Sequence, residues 1–321
     1  MKLAFLGVSH WHSTMHAKAA LAAGAEIAMA WDPSAEAVRL FADKFGCAVA
    51  SRLDQALAGA DLAVVMGRPF EIAERGLAVI EAGVPLLIEK PIGISARAAD
   101  PLVAAGQGKN AFVAVALPHG LGMMAALRDL DTAGRLGAIS HSHFRLINGP
   151  PQRYVDDGVG WVLDRAIGGG GALRNLGIHG INAFLTLAGD QKVDVVSASF
   201  GRPIHGTEVE DYAAVVLSAA DGTLGLVEAG YTFASMKRGI FEWRVSAKNA
   251  TLSDFGDRIA LSTLDDEGQR DLPVTPPARR YDDVMTDTLK RLAQGRPPAV
   301  SLADCRRAMA IIDHCYEIQG V

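Results

Sequence analysis

The sequence predicts an α/β chain in two parts. A doubly wound parallel sheet occupies the first third, and an α+β unit with a large, open, mostly antiparallel sheet follows. Three observations carry this. Short aliphatic runs alternate with helical patterns as far as residue 117, which gives a parallel sheet covered on both faces. From about residue 139, polar and apolar residues alternate within each run, as in half-exposed strands. Those later runs are joined by Gly- and Asp-containing turns such as Asp221-Gly222, not by helices.

Residues 3–6 read as a buried strand, followed by a turn and a helical stretch through Ala23. Residues 26–31 form the next strand, and a helix over 34–45 follows with Ser34 as its N-cap. Further strands fall at 62–66, 86–89 and 112–115, separated by helices at about 70–82 and 95–107. Right-handed crossovers then wind the sheet both ways. Leu117-Pro118 marks the end of this domain, because proline disfavours a continuing helix or strand. The chain divides into 1–118 and 119–321. In the second part, strands are expected at 139–146, 193–200, 209–218, 223–233 and 240–247, with helices at about 171–187, 281–294 and 301–319 on one face.

The length of 321 residues suits two domains. Half the residues are hydrophobic and 21% are charged, which argues against disorder. The net charge of −5 and the absence of a Lys/Arg run argue against a nucleic-acid partner and for a small molecule. No stretch reaches the ~18 apolar residues of a membrane span, and the N-terminal apolar run is too short for a signal peptide. A cytoplasmic location is expected. Cys47, Cys305 and Cys315 match neither a zinc pattern nor a disulfide framework and read as structural thiols. His10, His12 and His16 have no local Cys or carboxylate beside them, so no metal site is expected.

After the first strand comes Gly7-Val8-Ser9-His10-Trp11-His12. A dinucleotide fingerprint would place glycine at 7, 9 and 12. Gly7 supplies the tight turn, and Ser9 is small enough for a pyrophosphate to approach. His12 is bulky where helix–strand packing usually wants glycine. His10, Trp11 and His12 are expected to line the cofactor. Asp32 ends the second strand, twenty residues after His12, where an acid accepts hydrogen bonds from the adenosine ribose. Its charge repels a 2′-phosphate, so NAD is favoured over NADP.

Three segments add a second line of evidence: Glu89-Lys90-Pro91 at a strand end, Gly169-Gly170-Gly171-Ala172-Leu173 followed by Asn175 and His179, and Glu210-Asp211-Tyr212 entering a strand. In order and spacing, over nearly the whole chain, they resemble the Gfo/Idh/MocA family of glucose–fructose oxidoreductase and inositol dehydrogenase. The resemblance implies a Rossmann domain, an open second sheet that makes dimer or tetramer contacts, and hydride transfer at a substrate carbinol carbon. It implies substrate roles for Lys90, position 175 and His179, and Glu89, Lys90 and Pro91 are also expected to touch the cofactor. Physical reasoning agrees: a lysine at the carboxyl end of a parallel strand can stabilise a forming alkoxide, and His179 suits acid–base work.

The sequence departs from the family pattern at several points. Position 175 is Asn where the dehydrogenases typically carry Asp, and an amide accepts no proton. Asn182 likewise replaces a common Asp. Gly67-Arg68-Pro69 replaces the usual segment after the strand at 62–66, and Arg68 is expected to reach the pyrophosphate or an acidic substrate. His119 is expected near the nicotinamide. Arg153, Tyr154, Trp161 and Arg174 are expected around the substrate, whereas His141, His143 and Arg145 read as the polar face of a strand at an oligomer contact. The leading reading is an NAD-dependent dehydrogenase acting on a sugar, inositol or related polyol. A catalytically weak NAD-binding sensor or assembly protein is the alternative, and an enzyme that recycles a retained NAD is a third reading.

Overall fold

A computed structural model of the chain describes residues 1–119, 122–201 and 203–321, with all of their side chains except those at positions 119 and 267. Six strands build the first sheet: β1 (Lys2–Leu6), β2 (Glu26–Trp31), β3 (Ala48–Val49), β4 (Leu62–Val65), β5 (Leu86–Glu89) and β6 (Ala111–Ala114). All run parallel, in the order β3-β2-β1-β4-β5-β6. Every residue of β4 and β5 is buried, as strands covered on both faces must be. Leu3 and Phe5 enter one core while Ala4 and Leu6 enter the other. The expected cap at Ser34 is present, its hydroxyl accepting from Ala37 N at 3.2 Å. Strand order reverses between β1 and β4, and ligands of such sheets bind beyond the carboxyl ends of strands at that point.

Eight strands build the second sheet: β7 (Ile139–Ile147), β8 (Val193–Phe200), β9 (Tyr212–Ala219), β10 (Leu224–Gly230), β11 (Ile240–Ala247), β12 (Ala250–Asp254), β13 (Ile259–Thr263) and β14 (Asp266–Leu272). Their order is β14-β13-β12-β11-β7-β10-β9-β8. β7 and β10 pair in parallel and the other neighbours are antiparallel. The Ile178–Ala188 helix lies on one face. Gly180 permits the close approach, since a Cβ there would stand 2.6 Å from the Phe144 ring. On the open face, His143 Nε2 lies 2.8 Å from the Glu228 carboxylate, and Arg145 Nε lies 3.5 Å from it.

Among the differences from the sequence reading, three concern how the two sheets are joined and extended. β12 to β14 were not expected. They are short, and β14 reads Asp-Glu-Gly-Gln-Arg-Asp-Leu, so pairing with neighbours makes them strands rather than their own periodicity. A helix, Ala116–His119, passes through Pro118, because a first helical turn does not need the missing N–H. The last two helices, Arg280–Ala293 and Leu302–Gln319, do not simply cover the second sheet. Tyr281, Met285 and Leu289 join the core of Leu3 and Phe5. Cys305, Met309 and Ile312 join a core running from Leu6 and Ile88 to Leu217 and Val227.

Arg280 fastens this crossing. Its Nη2 donates to both Asp254 oxygens, at 2.7 and 3.0 Å, its Nε to Thr275 O at 2.9 Å, and its Nη1 to Leu117 O at 2.5 Å. Both members of the ion pair are buried. Removing one member of a buried pair strands the other charge. Arg280→Met is expected to lower the unfolding free energy by about 3–5 kcal/mol, read as a fall in the urea midpoint. A midpoint equal to that of the parent would refute the role.

Candidate active site

Gly7 follows β1 at φ 81°. A Cβ there would stand 2.0 Å from Met66 O, so the turn admits only glycine. Asp32 follows β2 and is 6% exposed. Its Oδ2 accepts from Ser9 N and its Oδ1 from Ser34 N, each at 2.8 Å. An ionised carboxylate has about four acceptor sites. Two backbone donors therefore fix its orientation and leave acceptor capacity for ribose hydroxyls, which fits an adenosine ribose without a 2′-phosphate. Arg75, which the sequence reading passes over, reaches back from the Pro69–Glu81 helix. Its Nη1 donates to Met66 O at 2.7 Å, and its guanidinium lies 5.5 Å from the centre of the Trp31 ring. Its signal in the sequence is its place four residues after Glu71, the spacing of a helical ion pair, and the two stand 3.6 Å apart. Arg68 does not turn to the crevice as expected. It pairs with Glu71 at 2.6 Å and covers Phe70, because both partners sit within reach on its own turn. Gly67 lies against the Arg75 guanidinium. The expected position of the His119 side chain lies outside the described residues.

Glu89 ends β5 fully buried. Its Oε1 lies 3.1 Å from His12 Nδ1 and 2.8 Å from His16 Nε2, and its Oε2 accepts from Lys90 N at 3.1 Å. Tyr281 OH lies 2.7 Å from His12 Nδ1. These contacts account for a histidine where the fingerprint has glycine: the His12 ring turns to Glu89 and Tyr281 and stacks on Trp11 with 4.8 Å between ring centres. Glu89, expected to touch the cofactor, faces the histidines instead. Burial alone would raise its carboxyl, but His12 and His16 outweigh burial and hold it well below the ordinary value. Burial pulls His10 well below its ordinary value and His12 below its own, with Glu89 opposing both shifts.

Lys90 comes next and is 6% exposed. Its Nζ donates to the backbone oxygen of Asn175 at 2.7 Å and to Asn175 Oδ1 at 3.2 Å. Asn175 Nδ2 in turn donates to Tyr231 OH at 3.1 Å. Burial lowers the Lys90 ammonium, and Glu89 opposes the shift. Asn175 lies in a π-helical turn, Leu173–Gly177, that runs into the Ile178–Ala188 helix. Such turns recur at functional sites. The glycine loop before it is fastened by Glu210. The Glu210 carboxylate accepts from Gly171 N at 3.1 Å, Leu173 N at 2.9 Å and Tyr316 OH at 2.8 Å. Glu210 thus has a structural task that the sequence alone did not assign.

Lys90, Asn175, His179, Arg153, Tyr154 and Tyr281 line a cleft of about 620 Å³. A smaller cavity shares Lys90 and Asn175 with it and is lined also by His10, Pro91, Trp161 and Arg174. The structure therefore gathers Lys90, Asn175 and His179, and sets the four expected loop residues on one or other of the two cavities. Ser9 and Asp32 meet at the crevice end. His141, His143 and Arg145 belong to β7 and line neither cavity. Among the described residues, no His, Cys, Asp and Glu cluster has metal-site geometry, and no helix is long and apolar enough to cross a membrane.

Residues 1–117 match the oxidoreductase family with an NAD-binding Rossmann fold, and residues 124–252 match the Gfo/Idh/MocA C-terminal domain. A 1,5-anhydro-D-fructose reductase of Ensifer adhaerens is 30% identical over 142 residues, 43% of this chain and 40% of that protein. A trans-1,2-dihydrobenzene-1,2-diol dehydrogenase of Mus musculus is 29% identical over 150 residues, 46% of this chain and 42% of that protein. The chain thus matches about two-fifths of the length of these curated relatives. The fold is that of levoglucosan dehydrogenase in complex with NADH and levoglucosan, with a TM-score of 0.86 at 18% identity over 100% of this chain and 97% of that one. GenD2 from gentamicin A biosynthesis, in complex with NAD, gives 0.81 at 20% identity over 100% and 94%. The chain belongs to the Gfo/Idh/MocA family of oxidoreductases.

Because the folded pKa values of His10 and His12 lie below the ordinary histidine value, the unfolded chain binds protons there before the folded chain does. Stability is expected to fall as pH drops from about 7 to 5, by up to about 1.4 kcal/mol per pH unit for each histidine. His10→Gln should flatten the fall. Urea midpoints measured across that range check it, and a parent midpoint independent of pH would contradict it.

Proposed function

We propose that this member of the family is an NAD-dependent dehydrogenase. It moves a hydride between nicotinamide and a hydroxyl-bearing carbon of a sugar, inositol or related polyol. The observation that carries the reading is the buried Lys90 ammonium held against Asn175 in a cleft that His179 also lines. The names of the similar proteins, a reductase of 1,5-anhydro-D-fructose and a dehydrogenase of levoglucosan, support a sugar-like substrate. NAD, when bound, supplies the hydride acceptor. Gly7, Ser9, Asp32 and Gly67 would hold it at the β1–β4 crevice, with His10, Trp11 and Pro91 on the way to Lys90.

Lys90 meets the substrate oxygen. When it leaves the neutral Asn175 carbonyl for a developing alkoxide, its hydrogen bond strengthens as the charge grows. His179 takes the hydroxyl proton, as an imidazole can near neutral pH. Asn175 is a positioning residue: its oxygens hold the ammonium, and its N–H group is committed to Tyr231. The same amide favours the second reading, an NAD-binding sensor or assembly protein with little turnover. The open face of the second sheet offers the contact for a homodimer or homotetramer, and the three free thiols fit the cytoplasm.

Fluorescence titration is expected to give NADH a dissociation constant at least about tenfold below that of NADPH, with Asp32→Ala erasing the difference. Equal binding of both would remove the role of Asp32. Lys90→Met should cut kcat on an accepted polyol by about a thousandfold while NADH affinity stays within about threefold. NADH binding by the parent without turnover on any polyol would favour the sensor reading, and equal loss of binding and turnover in Lys90→Met would sink the catalytic assignment.

A further inference from the structure

Arg174 lies between the glycine loop and Asn175 and is 3% exposed. A guanidinium carries five N–H donors, and a buried donor left unanswered is costly. Nε donates to Gly169 O at 3.2 Å, Nη2 pairs with Asp313, and the Tyr316 ring lies 5.6 Å from the guanidinium carbon. Among the described residues, Nη1 has no hydrogen-bond partner. The small cavity that Arg174 lines measures about 20 Å³, room for one oxygen-sized group. It shares Lys90 and Asn175 with the main cleft.

The charge around this cavity is one-sided. Among the described residues, its charged lining groups are Lys90 and Arg174, and no carboxylate lines it. The Asp313 oxygens are taken by Arg174 and by Ala96 N. Glu89 is turned to His12 and His16. His10 Nδ1 accepts from His12 N at 3.2 Å, so a neutral His10 carries its proton on Nε2 as one more donor. Asn175 brings no charge. What the site leaves unmet is an acceptor for Arg174 Nη1, and a charged donor bonds most strongly to a charged oxygen.

We propose that the substrate supplies it: the cavity is a carboxylate subsite, and the substrate is an acidic sugar such as an aldonate or a uronate. One carboxylate oxygen enters the cavity and accepts from Arg174 Nη1, while the hydroxyl to be oxidised meets Lys90 in the main cleft. A planar carboxylate needs less room around that one oxygen than a tetrahedral phosphate ester does. This inference rests on the dehydrogenase reading of the same cleft.

The test is calorimetric titration of the NADH-loaded protein with matched pairs, D-glucuronate against D-glucose and D-gluconate against D-sorbitol. At least one acid is expected to bind about tenfold more tightly than its neutral partner, as a charged hydrogen bond allows. In Arg174→Gln, which keeps donors near Gly169 and Asp313, the preference should shrink to about twofold or less. Unchanged NADH affinity and circular dichroism show that the variant is folded; if it is not, Arg174→Lys takes its place, with the same expectation. No acid preference in the parent overturns the proposal, as does a preference that survives the substitution. D-glucose 6-phosphate binding as tightly as D-glucuronate overturns the carboxylate assignment in favour of a general anion site. Failure to bind NADH at all would count against the dehydrogenase reading itself, whereas NADH binding without acid preference leaves that reading standing.

Discussion

A buried ammonium has to be met by oxygen atoms, or its desolvation goes unanswered. At Lys90 those oxygens belong to one residue, Asn175, which offers both its backbone and its side-chain oxygen. The rest of the site follows from holding that residue in place. The π-helical turn carries it, and the Glu210 carboxylate fixes the backbone just before the turn through Gly171 and Leu173. Tyr316, from the last helix, donates to the same carboxylate. A lysine at the carboxyl end of β5 is thereby set by a loop, a strand entry and a helix from much later in the chain.

The same logic explains the unusual cofactor loop. A glycine at position 12 would let helix and strand pack closely, but it would leave the Glu89 carboxylate with one fewer partner. His12 and His16 supply polar contacts to Glu89, and Tyr281 closes the group. The loop gives up a small residue and gains a polar cluster that its own helix and the Arg280–Ala293 helix share.

Much of this was legible in the sequence because it depends on local rules. Parallel strands announce themselves as aliphatic runs, Ser34 as a cap, Asp32 as an acid at a strand end, and Lys90 with His179 through two compact motifs. What was not legible depends on contacts between distant segments. Nothing near Glu89 in the chain says that it will face His12 and His16, seventy-seven and seventy-three residues away. Tyr231 and Asp313 carry no local pattern and gain their place only when Asn175 and Arg174 arrive beside them. Arg68 misled for the opposite reason: a loop position suggests reach, but Glu71 and Phe70 on its own turn were nearer than the crevice. β14 was missed because its residues are polar and its strand state comes from pairing with β13.

The last two helices return to the first sheet, with Tyr281, Met285 and Leu289 on one side of it and Cys305, Met309 and Ile312 on the other. Chains are made from the N-terminus onward. The nucleotide-binding half is therefore synthesised first but cannot bury all of its apolar surface until the Arg280–Ala293 and Leu302–Gln319 helices leave the ribosome. Until then Phe5 and Leu6 wait for partners encoded far downstream of them, and the two halves of the molecule complete their folding together.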